Sequence, residues 1–171
     1  MRDVGEEEAD ARPLADAALL QAFGDAGDAA GDLVWAVVFT SGVNNGGNGY
    51  LYVLNAVTGA VIHKVPTLLN GNAVGTSAAP SGLNKLNAWI SQPSDNVASR
   101  FYAGDMLGNL WRFDANNLTA PTGATPDTRA VRLAQFLDGS TPQAITTRPE
   151  VAEVKYGGAS HAVVLVGTGR Y

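Results

Sequence analysis

One segment of the chain occurs twice, and this repeat constrains the fold more than any other feature. Residues 49–56, Gly-Tyr-Leu-Tyr-Val-Leu-Asn-Ala, return as residues 108–115, Gly-Asn-Leu-Trp-Arg-Phe-Asp-Ala, so that a glycine, a leucine, an Asn or Asp and an alanine recur at an offset of 59. Both copies have the residue alternation and the flanking turn formers that predict β-strands. The chain is therefore expected to contain at least two copies of one small β unit.

The repeat extends beyond this segment on both sides. Residues 37–42 correspond to 100–105 and again to 164–169, and residues 61–64 correspond to 131–134. Each unit then holds about four strands: one led by a proline (Pro80 or Pro149), one ending in small residues, its hairpin partner, and an outer strand. Four antiparallel strands repeated in this way predict the blades of a β-propeller.

These units predict an all-β fold, an incomplete β-propeller made of four-stranded antiparallel blades. The 20 Gly and 8 Pro of the 171 residues suit many short strands joined by turns. A propeller closes with about 4 to 8 blades, whereas this chain has room for about two and the start of another. We therefore expect the chain to be a part of a longer protein.

The second copy of the repeat predicts a hairpin. Tyr102 and Ala103 enter it, residues 104–109 reverse the chain, and Trp111 and Phe113 alternate with polar neighbours on the way out. Turns are predicted at the dipeptides Asn48-Gly49, Thr58-Gly59 and Gly108-Asn109. The residues that define this motif are Tyr102, Ala103, Gly104, Asp105, Gly108, Asn109, Leu110, Trp111, Arg112, Phe113 and Asp114.

This motif resembles the most recognisable segment of the propeller in the PilC/PilY family of type IV pilus tip adhesins and pilus-biogenesis factors. The resemblance covers residues 34–171, with weaker support from residues 145–151 and 167–171. It implies a quinoprotein-like propeller that regulates pilus extension and retraction, in a protein that attaches cells to surfaces. It also implies a location at the cell surface, the pilus tip or the outer membrane, and pilus components and the remaining blades as partners.

The resemblance further implies a calcium loop just before the hairpin, with ligands at its first, third, fifth and ninth positions. The corresponding residues here are Ser91, Pro93, Asp95 and Ser99, of which only Asp95 has a carboxylate. Proline has no side-chain oxygen and serine hydroxyls are weak ligands. We therefore expect a plain loop and no bound cofactor, although the family uses calcium.

Residues 1–31 form an acidic, alanine-rich segment distinct from residues 32–171. The first 30 residues hold eight acidic and two basic side chains, a net charge of −6, and the rest has a net charge of +1. The segment is predicted to be irregular or helical, with an amphipathic helix ending near Gly24. The alternative is a remnant of a strand of a preceding blade, opening at Pro13.

Composition and charge argue against several other classes of protein. There is no basic stripe that would follow a phosphate backbone, so nucleic acid is not expected as a partner. The longest apolar run, Val34 to Phe39, is too short to span a membrane. With no Cys, neither a disulfide nor a cysteine-based zinc site can form. The first residues lack the pattern of a secretory signal.

Candidate catalytic residues are few, and we expect no enzyme. Asp105 and Asp114 could pair, but Asp114 aligns with Asn55 and is better explained by a turn-capping hydrogen bond. His63 and His161 fall in different repeats, and Trp111 and Phe113 are expected in the core rather than against a ligand.

Two glycine-rich segments are interpreted structurally. Residues 44–48 are interpreted as a hairpin tip rather than an amide-lined ligand site, and residues 167–169 as the end of a strand rather than a phosphate loop.

One alternative function remains open. Residues 54–59, Leu-Asn-Ala-Val-Thr-Gly, also resemble the Leu-Asp-Ala-x-Thr-Gly turn of the pyrroloquinoline-quinone dehydrogenases. This resemblance implies a fragment of a quinone-dependent enzyme. No acidic or amide cluster suited to a metal and quinone site is evident in the sequence.

Overall fold

The computed structural model describes residues 18–23, 34–44, 46–90, 94, 97–118 and 129–169. These residues form antiparallel strands and one short 3-10 helical turn, Ala115–Asn117. In chain order the strands are β1 (Ala18–Phe23), β2 (Val34–Thr40), β3 (Tyr50–Asn55), β4 (Val61–Pro66), β5 (Leu68–Leu69), β6 (Asn72–Ala73), β7 (Leu86–Ile90), β8 (Ala98–Gly104), β9 (Asn109–Asp114), β10 (Val131–Gln135), β11 (Leu137–Asp138), β12 (Thr141–Pro142), β13 (Glu150–Tyr156) and β14 (Ala159–Leu165).

Two four-stranded sheets confirm the predicted blade plan. The first sheet has the order β1-β2-β3-β4, and the second consists of β7, β8, β9 and β10 in sequence order. Strands β13 and β14 pair as a two-stranded sheet and correspond to the first two strands of a further unit. The described residues thus contain two complete blades and part of a third.

The N-terminal segment requires a correction. Ala18–Phe23 is a strand paired with β2, so the predicted helix is wrong for these residues and the strand alternative holds. The strand completes the first blade rather than belonging to a preceding one. The rest of the segment lies outside the described residues.

The pairing register fixes how the two blades correspond. Val37 pairs with Leu54 in the first sheet, and Phe101 pairs with Phe113 in the second. Strands β2 and β8 are therefore related by 64 residues, one more than the sequence comparison predicted, while β3 and β9 keep the predicted offset of 59. Because successive side chains of a strand point to opposite faces, this one-residue difference decides which faces of the two sheets are equivalent.

The main core combines one face of each sheet. It contains the aromatic side chains Phe101, Trp111 and Phe113, all 0% exposed, packed in one cluster with aliphatic residues of the first sheet. The prediction that Trp111 and Phe113 are core residues is confirmed. The aliphatic members from the first sheet are Ala36, Val38, Leu51, Val53 and Val65.

The segment Ser81–Asn84 joins the two sheets. The Ser81 and Leu83 backbone N–H groups donate to the carbonyls of Gly47 and Gly42 on the side of the first sheet, at 2.7 and 3.0 Å. On the side of the second sheet, the Asn84 N–H donates to the Gly104 carbonyl at 2.8 Å, and Met106 donates to the Ser81 carbonyl at 2.8 Å. We call residues 81–84 the linker.

Two predicted local features differ from the structure. The chain between β2 and β3 reverses with positive φ at Gly42 and Gly47, not at Asn48-Gly49, because Asn48 is already held in a bridge to Gly82 of the linker. Pro149 directly precedes β13 as predicted, but Pro80 lies six residues before β7.

Candidate functional site

The turn between β8 and β9 is organised by the carboxylate of Asp105. Its Oδ1 accepts hydrogen bonds from the backbone N–H groups of Leu107 and Asn109, both at 2.9 Å. Its Oδ2 accepts from Asn109 Nδ2 and from Trp111 Nε1, both at 2.8 Å. The side chain is 0% exposed, so it holds the turn together from within the protein.

Burial raises the pKa of Asp105 above its usual range, because removal from water penalises the charged form. The hydrogen bonds from Trp111, Asn109 and Leu107 lower the pKa and only partly offset burial. With each oxygen accepting two hydrogen bonds, the carboxylate is engaged in structure rather than presented to a substrate.

Asp114 lies at the other end of the hairpin and does not pair with Asp105. Its carboxylate forms ion pairs with Arg112, at 2.9 Å, and with Arg100, at 3.3 Å. The predicted turn-capping role is wrong for Asp114, which makes no side-chain cap to the helical turn that follows. Asn55 does cap its turn, since its Oδ1 accepts from the N–H groups of Val57 and Thr58 at 2.9 Å.

The remaining motif residues are packing and turn residues. Tyr102, Ala103, Gly104, Gly108 and Leu110 are all buried. Gly108 has the positive φ, 75°, that the predicted turn requires.

Of the calcium-loop positions, only Ser99 lies among the described residues, on β8. Ser91, Pro93 and Asp95 lie outside them. Within the described part of the chain, no three His, Asp or Glu side chains come together in a way that could hold a metal ion.

The other candidate groups are explained by local structure. Asn44 Nδ2 donates to Ser41 Oγ and to the Asn48 carbonyl, both at 3.2 Å, so the amide of Asn44 is used within the loop; Asn45 lies outside the described residues. The N–H of Gly169 donates to the Ala144 carbonyl at 2.8 Å.

The two histidines lie on different sheets, His63 on β4 and His161 on β14. Burial, and secondarily the positive charge of Arg129, lowers the pKa of His63.

Two clefts flank the Asp105 turn, and Leu107 is a wall of both. The smaller, of about 240 Å³, is lined by Leu69, Asn72, Ala73, Val74, Leu107, Asn109, Arg132 and Gln135. The larger, of about 520 Å³, is lined by Ala79, Leu107, Thr141, Pro142, Gln143, Ala144 and Gly169. Since Asp105 holds the N–H of Leu107, it positions the wall that the clefts share.

Each cleft is also bordered by a small hairpin that sequence reasoning missed. Strands β5 and β6 form one hairpin, with positive φ at Asn70 and Gly71, and β11 and β12 form the other, with positive φ at Gly139. The two-residue turns are Asn70-Gly71 and Gly139-Ser140, and these dipeptides are the sequence signal that would have predicted the hairpins. The two hairpins are related by an offset of 69 residues.

A polar relay connects the smaller cleft with the buried carboxylate. Arg132 Nη1 donates to Asn109 Oδ1 at 3.2 Å, and Asn109 Nδ2 donates to Asp105 Oδ2 at 2.8 Å. Asn109, 1% exposed, thus has its amide orientation fixed by a cation on one side and an anion on the other. Arg132 was not among the candidate residues, because its partner is 23 positions away in the chain.

Comparison with known proteins places this geometry in a family. The family model for the PilY1 beta-propeller domain matches residues 29–171. The type IV pilus biogenesis factor PilY1 of Pseudomonas aeruginosa is 30% identical over 154 residues, which cover 80% of this chain and 12% of the relative. A PilY1 homolog of Xylella fastidiosa is 26% identical over 148 residues, covering 80% of this chain and 10% of the relative.

The fold agrees with a solved relative. The crystal structure of the Pseudomonas aeruginosa PilY1 C-terminal domain superimposes with a TM-score of 0.61 at 26% identity, covering 91% of this chain and 32% of that one. The chain spans about a tenth of the length of the curated relatives it matches. No helix among the described residues is long and apolar enough to cross a bilayer. The repeated four-stranded sheets and the match over residues 29–171 together show that this chain belongs to the PilY1 β-propeller domain family of type IV pilus biogenesis factors.

Proposed function

We propose that this chain is a non-enzymatic propeller module of a type IV pilus assembly and adhesion protein, where it regulates pilus extension and retraction and contributes to surface attachment. The observation that carries the proposal is the match to the PilY1 propeller domain across residues 29–171. The module acts at the cell surface, the pilus tip or the outer membrane. Its partners are pilus components and other blades of the same propeller.

The geometry of the hairpin supports a binding role rather than a catalytic one. Asp105, the buried carboxylate of the motif, accepts four hydrogen bonds from its own hairpin. Asp114 is neutralised by Arg100 and Arg112. Both carboxylates therefore stabilise the hairpin, and the surfaces beside it are left for contact with a partner.

The test uses substitutions in the complete protein, expressed from its own gene. Asp105→Ala removes the acceptor of four hydrogen bonds, while Asp138→Ala, on the exposed β11–β12 hairpin, is the matched control. Surface pili and twitching motility are measured in cells with and without the retraction motor. We expect Asp105→Ala to reduce surface pili when retraction is active and to allow recovery when it is absent, with Asp138→Ala unchanged.

Normal piliation, twitching and surface attachment with Asp105→Ala would contradict the proposed role, provided that the purified variant is shown to be destabilised.

A separate titration addresses the enzymatic alternative. The 171-residue chain is titrated with pyrroloquinoline quinone and followed by absorbance, with an artificial dye as electron acceptor. We expect no saturable change and no dye reduction. Saturable quinone binding together with dye reduction would overturn the non-enzymatic proposal.

A further inference from the structure

The smaller cleft beside the Asp105 turn has the composition of an anion site. It lies between the β5–β6 hairpin and the second sheet, and we call it the Arg132 cleft, after its charged residue. We propose that the Arg132 cleft binds a carboxylate group that carries a short hydrocarbon portion. This inference is independent of the proposed function.

Two hydrogen bonds orient the guanidinium of Arg132 and leave some of its N–H donors unused. Its Nη1 donates to Asn109 Oδ1 and to Gln135 Oε1, both at 3.2 Å. Within the described part of the chain, its Nε and Nη2 make no hydrogen bond and the group forms no ion pair. A planar guanidinium with donors left over matches the two oxygens of a carboxylate.

The charges around the cleft favour an anion. Among the described residues that line it, none has an acidic side chain. The nearest carboxylate in the relay, Asp105, is 0% exposed and separated from Arg132 by the Asn109 amide. Asn109 therefore anchors the arginine without placing a negative charge in the cleft itself.

The other walls define the rest of the ligand. Leu69, Val74 and Leu107 supply apolar surface, and Asn72 supplies an amide at the rim. A volume of about 240 Å³ is smaller than the sites that enclose drug-sized molecules, about 300–1,000 Å³, and suits a single amino-acid side chain. A carboxylate with a few carbon atoms meets both requirements, either as an acidic side chain or as the C-terminal residue of a peptide.

The test is a chemical-shift titration of the ¹⁵N-labelled 171-residue chain. N-acetyl-leucine represents a C-terminal carboxylate and N-acetyl-aspartate N-methylamide an acidic side chain, while N-acetyl-leucinamide is the neutral control. We expect one or both carboxylates to shift the Leu107 and Asn109 amide signals saturably. Equal binding of the neutral amide, or no saturable shift with either carboxylate, would overturn the proposal.

Three variants make the assignment specific. Arg132→Gln should weaken carboxylate binding by about tenfold or more, because a charge-assisted hydrogen bond is lost. Arg132→Lys keeps the charge but not the planar guanidinium. Its affinity for the carboxylate should lie between those of the wild type and Arg132→Gln. Lys155→Gln removes one positive charge from exposed strand β13 and should bind as the wild type does. Unchanged affinity in both Arg132 variants would contradict the assignment, and the wild-type shift map remains decisive if Arg132→Gln does not fold.

Discussion

At the scale of single residues, Asp105 shows how a buried charge is accommodated by its own turn. A carboxylate removed from water costs several kcal/mol unless it gains strong partners, about 1.5–3 kcal/mol per charge-assisted hydrogen bond. Here the donors come from residues two, four and six positions ahead, and none of them is a cation. The turn therefore folds around the carboxylate as a local unit.

Asp105→Ala is expected to destabilise the chain by about 3 kcal/mol or more, because four N–H donors, three of them buried, lose their acceptor. Urea unfolding followed by circular dichroism measures the change. Asp138→Ala should alter the free energy of unfolding by less than about 0.5 kcal/mol, because that side chain is exposed. Similar values for the two variants would contradict the structural role of Asp105.

The raised pKa of Asp105 predicts the direction of a pH effect. Because the folded-state pKa lies above the unfolded value of about 3.8, the stability that titration of Asp105 contributes is fully present below that value. It is lost as the pH rises through the folded-state pKa. The unfolding free energy of the wild type minus that of Asp105→Asn should therefore fall with rising pH and then level off. A difference that increases with pH would show that the hydrogen bonds outweigh burial.

At the scale of elements, the joint between the two sheets depends on close backbone contacts. A Cβ at Gly49 would lie 2.1 Å from the carbonyl oxygen of Gly82, a backbone atom of the linker that cannot move aside cheaply. The same loop contains Gly46, where a Cβ would meet only Asn44 Oδ1, at 3.3 Å. Neither glycine has a positive φ, so the two positions differ mainly in available space.

Gly49→Ala should accordingly destabilise the chain by about 2 kcal/mol or more, through overpacking against the linker. Gly46→Ala should be close to neutral or slightly stabilising, because it restricts the unfolded chain. Thermal unfolding of both variants checks the comparison. Equal melting temperatures would mean that the linker shifts freely and is not a close joint.

Much of the fold was predictable because its signals are local. The hairpin around Gly108 and the turn at Gly59 follow from residues close in sequence, and the four-strand units follow from the recurrence of such local patterns along the chain. The turn after β2 was misplaced because Asn48 is held by Thr67, whose Oγ1 donates to Asn48 Oδ1 at 3.1 Å from 19 positions away. Arg132 and its cleft were missed for the same reason: their contacts are made by distant segments.

At the scale of the whole molecule, the pairing register assigns a role to the face of the first sheet that carries Phe39, Tyr50 and Tyr52, which we call the aromatic face. On this face Phe39 stacks on Tyr52, with ring centroids 5.2 Å apart, and the Lys64 ammonium lies 4.5 Å from the centroid of the Tyr50 ring. Tyr52 occupies the position equivalent to Trp111, which is buried against the first sheet. The aromatic face is therefore the equivalent of a blade-packing surface.

This equivalence predicts that the amide hydrogens of β3 exchange more slowly when another blade covers the aromatic face. In a propeller that carries an additional blade on this face, amide exchange of residues 50–55 should be slower than in the 171-residue chain. Strand β9, already packed against the first sheet, serves as the internal control and should change little. Hydrogen–deuterium exchange of the two proteins, resolved by peptide, makes the comparison. Equal exchange of residues 50–55 would mean that no blade covers the aromatic face.

The linker has a mechanical consequence. Its hydrogen bonds attach residues 81–84 to the loop of the first sheet and to the hairpin of the second at the same time. A pulling force that separates the sheets would therefore load several of these bonds together instead of opening them one after another. We expect the two blades to resist tension as one body.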